Sequence, residues 1–355
     1  MSQGWTVFWA VLLAVQSLFP GAGRQQEEWR KAAESGALAE AVLAAELELP
    51  REVLFPPEPE ETPEAPPPTA VPIPKPTPTP EPTPEPTPAP TPEPTPVGPE
   101  LRSFSDAGGL EVRNTTSYEV DVPALLAEPL TQQLPADAPQ ILIVHTHGTE
   151  AYRSVPGEEY VPSDPYRTTD TEHSVVHIGD VLTEELESFG LTVLHDRTCY
   201  DYPDYSASYE RSGAAVEEWL RQYPDIGVVI DLHRDAVGDD TVLYRSCAAL
   251  PEASAAQVML VVGTGEIGLT HPLWRDNLRL ALRMQSAMGE LCPTLPRPVS
   301  LVPERYNQQL TTGSLILEVG TTGNTLSEAE LAVRLYARAV GPLLQSLTGA
   351  AEGPV

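Results

Sequence analysis

The chain has 355 residues, enough for one large domain with accessory segments. Its formal net charge is −30 and its lysines are Lys31 and Lys75, so phosphate backbones are repelled and no nucleic-acid partner is expected. Cys199, Cys247 and Cys292 are widely spaced and form no CxxC; their odd number implies at least one free thiol, and none sits in a nucleophile motif, which leaves cysteine catalysis a weak alternative.

In chain order, residues 5–19 (WTVFWAVLLAVQSLF) form an apolar run that is short for a full span but long enough for a signal core. No Lys or Arg precedes it, and residues 21–23 offer the only small-residue cluster, so 1–23 reads as an uncleaved membrane anchor rather than a cleaved signal. Residues 24–55, rich in Ala, Glu and Leu, predict a helical juxtamembrane segment. From 56 to 100 the chain becomes a Pro/Thr/Glu repeat holding roughly half of its 40 prolines. Such a stretch builds no core and predicts an extended linker, with a reach on the order of 130 Å at roughly 3.1 Å per residue. Residues 101–138 read as an adaptor with some strand character.

The globular part runs over 139–349. Strands are predicted at 141–144, 191–194, 227–230, 257–262 and 314–319, alternating with helices at 173–189, 209–222, 274–289 and 327–347. Ser327 and Glu330 have capping-box spacing at the start of the last helix. Repeated strand–helix units predict an α/β fold: a mostly parallel central sheet with helices on both faces, preceded by the anchor and the Pro-rich linker.

The chemistry sits where apolar strands run into polar residues. ILIVHTHGTE (141–150) brings His145, His147 and Glu150 to the end of the first strand. GVVIDLHRD (227–235) does the same for His233, and SLILEVG (314–320) carries Glu318 between apolar neighbours. Ligands of open α/β sheets bind at the C-terminal strand ends. Two or three imidazoles and two carboxylates gathered there have the composition of a zinc hydrolase site. A buried carboxylate such as Glu318 is costly without a partner. Asp231, Arg234 and Asp235 flank His233 and either orient it, grip substrate or pair structurally. Tyr202, Tyr205, Tyr209 and Arg211 line a groove or pack its rim; Asn307 and Gln308 bind substrate amides or cap a loop. His173, His177, His195 and His271 have no comparable context and read as structural.

The ordered series HTHGTEAY, VLHDRTCYDYPDYSASYERS, DLHRDA, WRDNLRLA, YNQQL and LEVGTTGNT, spread over 141–339, resembles the stage II sporulation protein P family. That family consists of membrane-anchored peptidoglycan hydrolases acting in engulfment during endospore formation, and it resembles in turn the zinc-dependent N-acetylmuramoyl-L-alanine amidases. The resemblance implies an amidase-like fold, Zn²⁺ as cofactor, and a peptidoglycan substrate cleaved between N-acetylmuramic acid and L-alanine, with stem-peptide cross-links as a second target. It also implies a single-pass location at the septal or engulfing membrane, the catalytic domain outside the cytoplasm, and stage II sporulation proteins D and M as partners. Residue by residue, it makes His147 the first zinc histidine, with His145 a rival two positions earlier, and His233 the second. Glu150 is the acidic ligand, with Glu172 as the alternative, and Glu318 is the catalytic base. Arg234, Asp235 and Asn307 fall to substrate binding. The competing readings are a catalytically inactive wall-binding scaffold and a metal-dependent deacetylase or peptidase.

Overall fold

The computed structural model of the protein describes residues 99–348 apart from 107–108, 240 and 251–252. The expected anchor in 1–23, the helical segment in 24–55 and nearly all of the linker in 56–100 therefore lie outside the described residues. Among the described residues no helix is long and apolar enough to cross a membrane.

The fold is mixed α/β. Its strands are β1 (Glu100–Phe104), β2 (Val112–Asn114), β3 (Ile141–Val144), β4 (Val193–His195), β5 (Val228–Asp235), β6 (Val242–Ser246), β7 (Ala248–Ala249), β8 (Ser254–Ala255), β9 (Val258–Gly263), β10 (Val299–Val302) and β11 (Gly313–Thr321). Its α-helices are α1 (Val122–Ala127), α2 (Val175–Glu187), α3 (Ser208–Gln222), α4 (Trp274–Leu291) and α5 (Leu326–Ser346). Seven strands form one sheet in the order β2-β10-β9-β11-β5-β3-β4, parallel throughout except where β9 meets β11. β1 pairs with β6 in a separate two-stranded sheet, and β7 with β8 in another. β2 joins the main sheet through β10 and α1 packs on α4, so residues 112–127 are built into the same fold as the strands that follow.

Two-residue periodicity divides the central strands between two cores. Ile141 and Ile143, Val228, Ile230 and Leu232, and Leu315, Leu317 and Val319 all enter the larger core under α2, α4 and α5. Leu142, Val144 and Val229 enter a smaller one with Val216 of α3. Helices thus cover both faces, and among the described residues α3 is the α-helix that packs on the smaller core. Along that face β5 and β11 exchange aliphatic residues for Asp231, His233 and Glu318 at their C-terminal ends. The local break in apolar patterning sets buried polar side chains on this face.

The strand at 141–144 and the start of the helix at 274 fall where the apolar patterning places them. β5 instead continues to Asp235, so His233 lies inside the strand rather than beyond it. β10 was not anticipated; its four residues VSLV are too short to show a period. The expected Ser327/Glu330 capping box is corrected to Thr325/Glu328. Thr325 Oγ1 accepts from Glu328 N (3.3 Å) and the Glu328 carboxylate accepts from Thr325 N (3.2 Å). Glu330 pairs instead with His177 Nε2 at 2.8 Å. The two-residue shift arises because Asn324 is already engaged: its Oδ1 accepts from Thr321 N and its Nδ2 donates to Glu328, which ends the β11 turn and starts the helix.

α2 presents Val175, Ile178, Gly179, Val181, Leu182 and Leu186 as one buried stripe, started by the Ser174 side chain accepting from Val176 N. Gly179 is there for clearance. A Cβ at this position would lie 2.6 Å from His195 Nε2 and 2.7 Å from His145 Nε2. Because both rings are held by other partners, Gly179→Ala is expected to overpack the core and destabilise the fold by about 1–3 kcal/mol. Chemical denaturation of the full chain checks this; an unchanged midpoint would mean the rings yield without cost.

Candidate metal centre

Alternation along β3 sends Val144 towards α3 and therefore His145 to the opposite face, against α2. There His145 is fully buried, its Nδ1 3.0 Å from the Leu232 carbonyl and its Nε2 2.8 Å from His195 Nε2. The carbonyl requires Nδ1–H on His145, which leaves its Nε2 to accept from His195. Burial and the neighbouring His195 push the His145 imidazole down to about 3, so it stays neutral. The i, i+2 argument that made it a rival to His147 assumes extended backbone, but the chain turns over 146–149. That turn carries His147 back to the α3 side, and the structure does not bring His145 into the same cluster.

His147, Glu150 and His233 do come together. One ligand-capable atom from each lies within 4.8 Å of the others, the one such group of His, Cys, Asp and Glu among the described residues. Glu150 Oε1 is 3.6 Å from His147 Nδ1, and Oε2 is 3.4 Å from His233 Nδ1. The two imidazoles stand perpendicular, centroids 5.1 Å apart. Glu150 is buried, and the Arg234 backbone N–H donates to its Oε2 at 3.2 Å while Arg167 Nη2 approaches Oε1 at 3.4 Å. Burial opposes its ionisation, yet the Arg234 charge and the imidazoles hold its carboxyl well below the usual range. His233 shows the converse: burial disfavours its charge, but Asp231 and Glu150 hold it well above an ordinary imidazole.

Asp231 backs His233 from inside β5, with Oδ1 2.9 Å from Nε2, although that buried nitrogen has no aligned hydrogen bond. Asp231 is itself fixed by Thr146, whose N–H and hydroxyl donate to it at 2.8 and 2.6 Å. Thr146 Oγ1 then meets Ser212 Oγ of α3 at 2.7 Å, and Asn307 Nδ2 reaches the same serine at 3.3 Å. Two imidazoles and a carboxylate, buried together with one histidine backed by a second carboxylate, fit a divalent transition metal.

Glu318 is the register partner of His233 on adjacent parallel strands, so both side chains project on the α3 face. Its Oε2 is buried without a hydrogen-bond partner. Burial first, and then the Asp235 charge, raise its carboxyl to about 8.

The residues assigned to substrate make internal contacts here. Arg234 is buried and donates to the Ala151 and Tyr166 carbonyls at 3.0 and 3.1 Å. Asp235 pairs with Arg297 at 2.6 Å. Asn307 Nδ2 donates to the Tyr209 carbonyl at 2.7 Å, its Oδ1 so close to Gly213 that a Cβ there would sit 2.8 Å away. Glu172 is exposed, paired with Arg197 and not brought to the cluster. His173 and His177 lie against Asp170 and Glu330. His271 is buried elsewhere.

Arg167 and Asp201 went unread in the sequence. Arg167 bridges Glu150 to Asp201 (2.6 Å), and its guanidinium lies over Tyr205 at 4.9 Å from the ring centroid. Tyr205 in turn stacks on His147 at 4.7 Å. A single arginine in a loop carries no periodic or motif signal that could have marked it.

The family model for stage II sporulation protein P matches residues 97–341. A curated relative, stage II sporulation protein P of Bacillus subtilis (strain 168), is 28% identical over 218 residues, 58% of this chain and 51% of that protein. The chain thus spans about half the length of the curated relative it matches. Among solved structures, the N-acetylmuramoyl-L-alanine amidase AmiC2 of Nostoc punctiforme aligns at 10% identity and TM-score 0.34, over 58% of this chain and 97% of its own. The CwlD amidase from Clostridioides difficile, solved in complex with the GerS lipoprotein, aligns at 13% identity and TM-score 0.35, over 59% and 98%.

Proposed function

Since this chain belongs to the stage II sporulation protein P family, we propose that it is a zinc-dependent peptidoglycan hydrolase that cleaves the amide bond between N-acetylmuramic acid and L-alanine. The observation that carries the reading is the meeting of His147, Glu150 and His233 on the α3 side of the sheet, with Glu318 in register beside His233.

His147, Glu150 and His233 would hold the ion. Zinc bound there would supply Lewis acidity, lowering the pKa of water towards about 7 and polarising a carbonyl. The chain's own residues do the rest. Asp231 and the Thr146–Ser212 hydrogen bonds orient His233, and the Arg234 backbone N–H orients Glu150. Glu318 takes the proton of the attacking water and returns it to the departing amine of L-alanine. Burial among apolar neighbours raises the proton affinity of the Glu318 carboxylate, the property a base needs to take a proton from water.

The proposal extends to the cell. The apolar run at 5–19 anchors the chain in the membrane, and the linker at 56–100 lets the catalytic domain reach the wall polymer outside the cytoplasm. Cleavage of stem-peptide cross-links is a second activity of the same site, with stage II sporulation proteins D and M as partners during engulfment.

Digestion of purified peptidoglycan by the full chain with zinc tests the reading. Free stem peptides beginning with L-alanine are the expected product, lost on chelation. Released acetate would identify a deacetylase instead, and an undigested polymer that still binds the chain would identify a scaffold.

A further inference from the structure

We infer that Tyr209 is a catalytic residue of this site, its phenol donating a hydrogen bond to the scissile carbonyl oxygen as that oxygen gains negative charge; the inference rests on the hydrolase reading above.

Tyr209 lies in the first turn of α3, the helix that covers the face carrying His233 and Glu318. Its backbone is clamped. Ala207, at the start of the helix, adopts a left-handed conformation (φ 58°), and the Tyr209 carbonyl accepts from Asn307 Nδ2 at 2.7 Å. Its ring is held as well, edge-on to His147 with centroids 5.5 Å apart and tilted against Tyr306 at 5.2 Å. A side chain held at its backbone and its ring has little freedom to lose when substrate arrives.

Three other tyrosines of this domain have committed hydroxyls. Tyr152 donates to the Val319 carbonyl, Tyr160 to the Tyr152 carbonyl and Tyr200 to Asp196. The Tyr209 hydroxyl makes no such bond among the described residues. Its ring lies against His147, on the face of the sheet to which His233 and Glu318 also project. A phenol keeps its proton at neutral pH, so it is available as a donor. A held donor with no acceptor among the described residues, packed against a candidate metal ligand on the face that carries the candidate base, matches what a developing oxyanion requires. Tyr205 is less suited: it stacks flat on His147, lies under Arg167 and is 56% exposed.

The test is Tyr209→Phe in the zinc-loaded full chain, which deletes one oxygen and keeps the ring. A kcat about 10²-fold lower with KM changed by less than about threefold is expected. Zinc content, and binding of the metal-free protein to intact peptidoglycan, should match wild type. Unchanged kcat, a raised KM at constant kcat, or lost zinc would each overturn the assignment. If the wild type itself releases no stem peptides, it is the hydrolase reading that fails; an active wild type beside an equally active Tyr209→Phe removes only the role of Tyr209.

Discussion

His233→Ala is expected to abolish zinc retention and peptidoglycan hydrolysis together. The imidazole stands between two carboxylates, Nδ1 facing Glu150 and Nε2 facing Asp231. Removing it takes away a candidate ligand and leaves both acids buried without their shared cationic partner, a change that costs about 3–5 kcal/mol where a buried pair is broken. The variant should therefore also unfold earlier than metal-free wild type. His147→Ala separates the two effects, because its side chain is 12% exposed and it is not backed by Asp231. It should lose zinc and activity with a smaller loss of stability. Metal content by elemental analysis, read beside a denaturation curve, decides the matter. Full zinc occupancy in folded His233→Ala would remove that residue from the coordination shell.

Glu318→Gln is expected to lower hydrolysis by roughly 10²–10⁴-fold while leaving zinc in place. The amide keeps the size and polarity of the side chain but cannot take the proton of water. Loss of zinc along with activity would instead make Glu318 a ligand, and near-normal turnover by the folded variant would sink the mechanism. A second readout needs no substrate. A buried acid whose pKa rises on folding stabilises the fold below its unfolded value and loses that contribution as pH rises through the folded value. For Glu318 the window runs from about 4.5 to about 8. Metal-free Glu318→Gln should therefore lose less stability than metal-free wild type across that range.

Much of this was legible in the chain because strands and helices here follow their hydrophobic periods closely. The run ILIV is β3, and the two-residue period that buries Leu315, Leu317 and Val319 on one face is what turns Glu318 to the other. The same alternation assigns His233 to the face opposite Leu232. The faces on which His233 and Glu318 lie were therefore accessible from local pattern, as was the cost of burying an acid between Leu317 and Val319.

Other features were decided only when elements met. Whether His145 or His147 joins Glu150 depends on the turn at 146–149, which no period encodes, and on the pocket that Gly179 leaves for the His145 ring. The start of α5 depends on Asn324 being held by β11 and by Ser246 before the helix begins. Arg167 and Arg234 converge on Glu150 from separate segments. β9 enters antiparallel to β11 after the excursion through β6, β7 and β8, a direction that the apolar run of β9 leaves open. The sequence by itself determined which residues lie on which face of each strand, because that follows from backbone geometry one residue at a time. Which of those faces meet, and so which carboxylate backs which histidine, belongs to the tertiary structure, since partners such as Thr146 and Asp231 are 85 residues apart and become neighbours only when β3 pairs with β5.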